Sequence, residues 1–504
     1  MTQLPRSTPR AEGVDPKAVF DLFRYYDEHQ TGVHSIMILR RDKVIAEGWW
    51  HPYRPEFLNM LFSMSKSFTS IAVGFAVQEG LLSIQDKLLS FFPGVLPEGA
   101  EPCGYMKELT IRDVLRMATG HVTEPSIEKE GEEQWVFQFL SSYIEKKPGT
   151  HYLYNTAGTY MLSAVVQKLT GMTVEEYLTP RLFEPLGFGE HRWELSPEGI
   201  TAGGFGFNLR TEDIAKFGVF LRNRGMYDGK QLLDPAWIDE ATAKQMEYTG
   251  HMNIDSRQGY GYQFWRCQPK NSYRGAGAFA QFCIVLPDQE MVIAVTSGAQ
   301  DTQPVLTALW EILLPGVGKE TPQLEDEQIT KELAAFCRRL KMPVVQGKKE
   351  ACGVKFWEKA YDVSGNILGL ERIGFCGGEE NSLKVVIKGK ESVIPLGYGE
   401  WKDAVLNTPS LAEPQPFRPL VPTDNRVSCC GAWTAENVFE VRIIYNQTPF
   451  CDFLQFVFDG CGFRLHHQRK TGFHLVNETY FGLPATGEVL RREKGAASQA
   501  EFRF

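Results

Sequence analysis

Between residues 68 and 77 the chain places Phe68, Ile71, Ala72, Val73, Phe75, Ala76 and Val77 on nearly every side of a helix. A helix that is apolar all round cannot lie on a surface, so other elements must wrap it. The fold therefore needs a central buried helix close to its N-terminal end. At the head of that helix stands Ser63-Met64-Ser65-Lys66. Residues three apart on a helix share a face, which puts Lys66 within reach of the Ser63 hydroxyl and gives a nucleophile its own base. A lysine in such surroundings is desolvated, which disfavours the ammonium and lowers the pKa towards neutrality. The helix N-terminus also favours negative charge developing on a substrate oxygen. The chain carries a control for the spacing. Ser126-Ile127-Glu128-Lys129 has the same pattern in a polar run over 124–133, with no apolar helix behind it, and reads as solvated surface.

A length of 504 residues exceeds what one ordinary core serves and predicts two or three domains. Hydrophobic content of 43% and charge of 23% are those of a globular protein. The net charge of −9 gives no reason to expect nucleic acid or an anionic membrane as partner. The opening MTQLPRSTPRAEG has no apolar core of a secretory signal, and no run approaches the ~18 apolar residues of a membrane span. With ten cysteines and no C-x-x-C pair, these features predict a cytoplasmic protein with free thiols. Cys429 and Cys430 with His466, His467 or His474 are the available metal ligands, but cysteine as a small apolar residue in a β-rich core is the expected reading. Neither a metal nor another cofactor is expected.

Up to about residue 318 helical stretches alternate with short strand-like runs. Strands are predicted over 35–40 and 43–48, and helices after Ser63 and over 111–117, 156–169 and 211–224. Apolar runs over 279–286 and 291–296, split by Pro287-Asp288-Gln289, predict a hairpin. Strands at both ends with helices between them predict an α+β domain over 1–318 whose sheet pairs its first and last segments. A polar stretch over 319–327 reads as a linker, and Ile329, Leu333, Phe336 and Leu340 predict a helix that Pro343 stops. From 343 to 504 the pattern is short strands, predicted over 353–357, 367–373, 383–387, 392–395, 439–445, 454–459 and 462–467. Turn signals at Ser364-Gly365-Asn366, Gly377-Gly378 and Asp459-Gly460 punctuate them, which predicts an antiparallel, lipocalin-like barrel or a sandwich.

Something must orient the lysine and protonate a leaving group. The segment Pro148-Gly149-Thr150-His151-Tyr152-Leu153-Tyr154-Asn155-Thr156-Ala157-Gly158 turns, runs extended and enters an apolar helix. A tyrosine at such a junction directs its hydroxyl into a cleft. Beside a lysine ammonium its phenolate is favoured, so Tyr154 is a second candidate for general base and acid.

With Leu61-Phe62-Ser63-Met64-Ser65-Lys66-Ser67-Phe68-Thr69-Ser70, then Val73-Gly74, Glu79-Gly80 and Asp86, the chain resembles the serine β-lactamase and penicillin-binding protein superfamily. The match is to the branch of class C β-lactamases, D-aminopeptidases, esterases and 6-aminohexanoate oligomer hydrolases. Leu109 to Leu115 followed by Thr119-Gly120-His121, the Tyr154 segment and the run from Gly203 to Gly225 follow in the family's order, over most of residues 10 to 315. The resemblance implies a β-lactamase/transpeptidase-like fold, Ser63 as nucleophile, Lys66 as adjacent base and Tyr154 as second proton carrier. It also implies the backbone amides of Ser63 and Ala278 as oxyanion hole.

Two departures bear on the substrate. Where the family has Tyr-x-Asn, this chain has Thr156, with Asn155 one place early. The third motif, Lys-Thr-Gly or His-x-Gly, aligns with Gly275-Ala276-Gly277 and lacks its cation. A glycine cannot bind the carboxylate of a β-lactam. Arg274 is adjacent, but neighbouring strand residues point to opposite faces. The small residues of this strand are expected to let a substrate backbone come close. Asn155, Thr156, Gly275, Ala276, Gly277 and Tyr262 are thus the substrate-binding candidates, with Tyr260, Phe264 and Trp265 as further wall residues. His121 reads as structural, and Gly203-Gly204-Phe205-Gly206 as a turn beside the cleft. No Gly-x-Ser-x-Gly elbow occurs. The resemblance implies hydrolysis of small esters, amides or peptides. A D-amino-acid peptidase, a β-lactamase and a catalytically silent binder are the alternatives, and oligomeric state stays open.

Overall fold

The protein's structure, a computed structural model, describes residues 3–99, 101–127, 134–248, 250, 253–319, 323–350, 359–366, 369–377, 381–407, 425–460, 462–473 and 475–489. It divides into two compact units, one of residues 1–50 and 54–340, the other of 51–53 and 341–504. Among the described residues no helix is long and apolar enough to cross a membrane.

The first unit is α+β. Helix α1 (Pro16–Glu28) is capped by Asp15, whose side chain accepts from Lys17 N. Strands β1 (Val33–Arg40) and β2 (Lys43–Trp49) form a hairpin turned by Arg41 and Asp42, both at positive φ. The apolar helix is α2 (Ser65–Gln78), and everything on it from Ser65 to Ala76 is buried. Then come α3 (Ile111–Leu115), α4 (Thr156–Thr170), α5 (Thr211–Arg222) and α6 (Pro235–Thr242). Strands β3 (Trp265–Arg266), β4 (Tyr273–Gly277), β5 (Gln281–Leu286) and β6 (Met291–Ser297) complete the sheet.

The sheet runs β2-β1-β6-β5-β4-β3, so the first strands do pair with the last, with Ile36 opposite Val295 and Ile38 opposite Ile293. The predicted hairpin is β5–β6, but the strand starts at Gln281 and not at 279. Phe279 and Ala280 take positive φ and belong to the turn from β4. Helix α7 (Gln323–Cys337) starts inside the stretch read as a linker, where no apolar periodicity marks it. It packs on α1, with the Phe20 and Phe336 rings edge to face at 5.4 Å.

The second unit is one antiparallel sheet of ten strands: β7 (Lys359–Val363), β8 (Leu370–Cys376), β9 (Ser382–Ile387), β10 (Lys390–Pro395), β11 (Lys402–Val405), β12 (Arg426–Ala435), β13 (Val438–Tyr445), β14 (Cys451–Phe458), β15 (Phe463–Arg469) and β16 (Val476–Val489). Its order is β10-β9-β8-β7-β16-β15-β14-β13-β12-β11. Asn407 crosses the seam between the edge strands, donating to Ser392 Oγ at 2.9 Å and to Glu391 O at 3.0 Å. A single sheet nearly closed on itself is a barrel, so the sandwich alternative falls away. The strand predicted over 353–357 lies outside the described residues, as do 367 and 368.

Alternation along β14 sends Asp452, Leu454, Phe456 and Phe458 inward. Phe375 meets Phe456 at 5.1 Å and Phe458 at 5.3 Å, and Tyr361 meets Phe463 at 5.1 Å. Full burial of each such ring contributes about 1.5–3 kcal/mol. Tyr53, far away in sequence, joins a cluster of this unit with Val344, Val345, Trp401, Cys430 and Ile444.

Candidate active site

Between residues 57 and 76 only Ser63 is not fully buried. It sits in the 3-10 turn Phe62–Met64 that feeds α2, so the chain presents one hydroxyl at the end of an otherwise enclosed segment. Lys66, 1% exposed, reaches back with Nζ 3.2 Å from Ser63 Oγ, 3.3 Å from Thr156 Oγ1 and 2.8 Å from Gly204 O. Burial pushes its amine down to about 7, against an opposing pull from Glu124. The Tyr154 hydroxyl is hydrogen-bonded to Ser63, and its ring centroid lies 4.8 Å from Lys66 Nζ. Burial raises the Tyr154 hydroxyl well above its ordinary value, with Glu124 adding to the shift. The phenolate expected from a neighbouring ammonium is thus not favoured, because desolvation outweighs the opposing hydrogen bond with Ser63.

The Tyr154 ring lies nearly parallel to Trp265 at 5.9 Å and edge-on to Tyr260 at 6.2 Å. Met117, Tyr260 and Trp265 form the cluster beneath it, joined by Tyr152, Tyr248 and Ala276. Next in the chain, Asn155 is fully buried and caps α4. Its Oδ1 accepts from Gly158 N at 2.8 Å and its Nδ2 donates to Thr119 Oγ1 at 3.2 Å. Its amide is spent on the helix rather than offered to a substrate, a correction to its place among the binding candidates. Thr156 does face the constellation, through Lys66.

The third motif divides by strand alternation. On β4, Gly275 and Gly277 are buried and Ala276 is half-exposed, as is Ala278 just beyond. A Cβ on Gly275 would stand 3.0 Å from Ser67 Oγ and 3.1 Å from Met64 Cγ, and one on Gly277 would be driven into Leu61 O. These glycines therefore admit the chain's own α2 turn, and Ala276 and Ala278 are the half-buried residues of the motif. The close approach at Gly277 sets the end of β4 against the Leu61 carbonyl, two residues before Ser63. Phe62 and Phe279, which adjoin Ser63 and Ala278 in sequence, both hold positive φ, and their rings pack edge to face at 5.4 Å. Such strain persists only where the surroundings over-determine it. Gln281, 2% exposed, ties the turn from inside by donating to Ala278 O and Phe279 O, each at 3.3 Å.

Tyr262 is fully buried, accepting from Arg112 Nε at 2.9 Å and donating to Glu240 Oε1 at 2.6 Å. It braces α3 against α6, with its hydroxyl held between these two side chains. Arg274 is 2% exposed and donates to Arg266 O at 2.7 Å, so it does not replace the missing cation. His121 is enclosed between Thr119 Oγ1 and Ser142 Oγ, each 2.9 Å away, and burial lowers it to about 4. Ser126 is exposed, and Lys129 lies outside the described residues. In the barrel His467 binds Asp452, His466 meets Thr479 on the surface, and His474 is outside the described residues. Among those described, no three His, Cys, Asp or Glu side chains converge as a metal site needs.

Two contributors escaped the sequence reading. Gly204 O, in the turn foreseen beside the cleft, accepts from Lys66. Glu124, from the polar run, reaches over to α4, where its Oε1 accepts from Thr156 N and from Ala157 N, the latter at 3.3 Å. An acidic residue in the polar run ahead of the apolar α4 was the available signal for the second.

The chain is similar to several known proteins. The 6-aminohexanoate-dimer hydrolase of Paenarthrobacter ureafaciens is 20% identical over 307 residues, 57% of this chain and 77% of that protein. Lovastatin esterase of Penicillium rubens is 25% identical over 177 residues, 30% of this chain, which spans only 43% of that protein. Among solved structures, the octameric penicillin-binding protein homologue from Pyrococcus abyssi superposes with a TM-score of 0.48 at 15% identity, covering 92% of this chain and 99% of that one. Of these relatives one is named for hydrolysis of the 6-aminohexanoate dimer and another as an esterase. The family model for β-lactamase matches residues 19–315, well over half of the sequence and the whole of the constellation just described, and the chain belongs to the β-lactamase family.

Proposed function

We propose that this protein is a serine hydrolase that cleaves small ester or amide bonds through an acyl-enzyme on Ser63. The observation that carries the reading is the 3.2 Å contact between Ser63 Oγ and a buried Lys66 amine held at about 7. A neutral amine there accepts the serine proton as Oγ attacks the carbonyl carbon. The tetrahedral oxyanion forms against the amides of Ser63 and Ala278, in the surroundings where such donors are worth most. Tyr154, neutral and hydrogen-bonded to Ser63, passes the proton on to the leaving alcohol or amine. Water then attacks the ester of Ser63, the same groups carry its proton, and the acid departs.

Small esters and amides are favoured over β-lactams because position 275 holds no cation and is closed by Met64 and Ser67. Intact-mass measurement after treatment with a fluorophosphonate tests the reading, with p-nitrophenyl acetate and butyrate turnover alongside. One adduct per chain, lost in Ser63→Ala, is expected. No adduct and no turnover would overturn it in favour of a non-catalytic binder.

Replacing Gly277 by alanine forces β4 away from Leu61 and so parts Ser63 N from Ala278 N. About a hundredfold loss in kcat is expected, with KM less affected. Steady-state kinetics on p-nitrophenyl butyrate, with circular dichroism to verify folding, measure it, and an unchanged kcat would exclude this pair as oxyanion hole.

A further inference from the structure

The cleft holds a carboxylate that the proposed chemistry does not use. Glu124 is exposed, yet its position is fixed, because Oε1 accepts from the first two backbone amides of α4. One of these belongs to Thr156, whose hydroxyl lies 3.3 Å from Lys66 Nζ. The charge is felt at the reacting groups, since Glu124 raises both Lys66 and Tyr154. Among the described residues no donor reaches the second oxygen, Oε2. Among the described residues no cation pairs with it. Position 275 is glycine, Arg274 is buried and turned to Arg266 O, and Lys66 serves as the base.

We propose that Glu124 sets the charge preference of the cleft, favouring substrates that carry an ammonium group and disfavouring those that carry a carboxylate. The inference rests on the serine-hydrolase reading and adds a substrate class to it: amides or esters with a positively charged amine within a short chain of the scissile carbonyl. Oε2 is the atom that would meet the ammonium. A fixed charge in a cleft acts through space, so the preference needs no closed pocket, and salt must weaken it.

The test uses p-nitrophenyl esters whose acyl chain ends in an ammonium, a methyl or a carboxylate group, and butyrate esters of phenols bearing the same groups. Each kcat/KM is divided by that of the same enzyme on the neutral ester. In the unaltered chain at low ionic strength the cationic ester is expected to exceed the anionic one by about tenfold or more in at least one series. Glu124→Gln should bring the ratio to within about threefold, and Glu124→Lys should invert it. On the unaltered chain alone, about 0.5 M salt should compress the ratio. A ratio near one in the unaltered chain, or one that survives both substitutions, overturns the proposal while leaving the hydrolase reading intact. If Ser63 takes no adduct and no ester turns over, both fall together.

Discussion

Exchange of Lys66 for methionine is expected to lower kcat/KM on a small ester by about a hundred- to ten-thousandfold, the range general-base catalysis supplies. The side chain is similar in length and fills the same buried space, so the loss would be chemical rather than structural. Lys66→Arg should not rescue, because a guanidinium keeps its proton at any workable pH. The pH profile gives an independent check with a definite sign. A base acts in its unprotonated form, and burial holds the Lys66 amine at about 7. Activity should therefore fall about tenfold per unit as pH drops below that point and level off above it. In Lys66→Met the residual activity should lose this limb. If the limb near 7 persists in the variant, Lys66 is not the group being titrated. Tyr154 is a poor candidate for the same role, since burial raises its hydroxyl and would keep the phenolate scarce near neutrality. The hydrogen bond with Ser63 pulls the other way but is outweighed by burial.

What could be read from the sequence followed from local rules, and what could not depended on contacts between distant segments. The Ser63–Lys66 spacing and the apolar run after it are local, and they sufficed to anticipate a buried lysine beside a partly open serine. The β5–β6 hairpin and the pairing of β1 with β6 also followed from pattern and turn chemistry. Alternation correctly separated Arg274 from its neighbours. Applied one step further, the same rule puts Gly275 and Gly277 on the buried face, but the sequence does not say which face of β4 meets α2. Tyr262 was misplaced for a similar reason: a tyrosine near a motif looks alike whether it faces a cleft or a buried Arg112–Glu240 pair. Asn155 satisfied a helix terminus, a demand at least as common as substrate binding. Glu124 follows no motif, because its role depends on a loop folding back over α4. In the barrel, strands β7, β11, β12 and β16 went unrecognised, and Tyr53 contributes from some 290 positions upstream of Val344.

Asp452 in the barrel should be the most costly polar residue to neutralise. Its carboxylate is 1% exposed and accepts from Arg469 Nε and Nη2, each at 2.7 Å, from His467 Nε2 at 3.0 Å and from the Tyr445 hydroxyl at 2.6 Å. Burial opposes its ionisation, yet the Arg469 charge and these donors win, holding the carboxyl well below the ordinary range. Asp452→Asn would leave the Arg469 guanidinium, 2% exposed, without its carboxylate, at a cost of about 3–5 kcal/mol. The barrel transition in calorimetry or in denaturant should move accordingly. Asp452→Leu combined with Arg469→Met should recover most of the loss, because a matched apolar pair carries no unpaired charge. The pH dependence follows from the same depressed ionisation. A carboxylate whose folded pKa lies below its unfolded value of about 3.9 contributes in full above that value and progressively less as pH falls below it. Acid unfolding of the barrel should therefore begin below about pH 4 in the unaltered chain, and this part of its acid sensitivity should vanish in the double variant. A double variant as unstable as Asp452→Asn would mean that the four-residue network, and not the loss of the carboxylate beside Arg469, carries the stability.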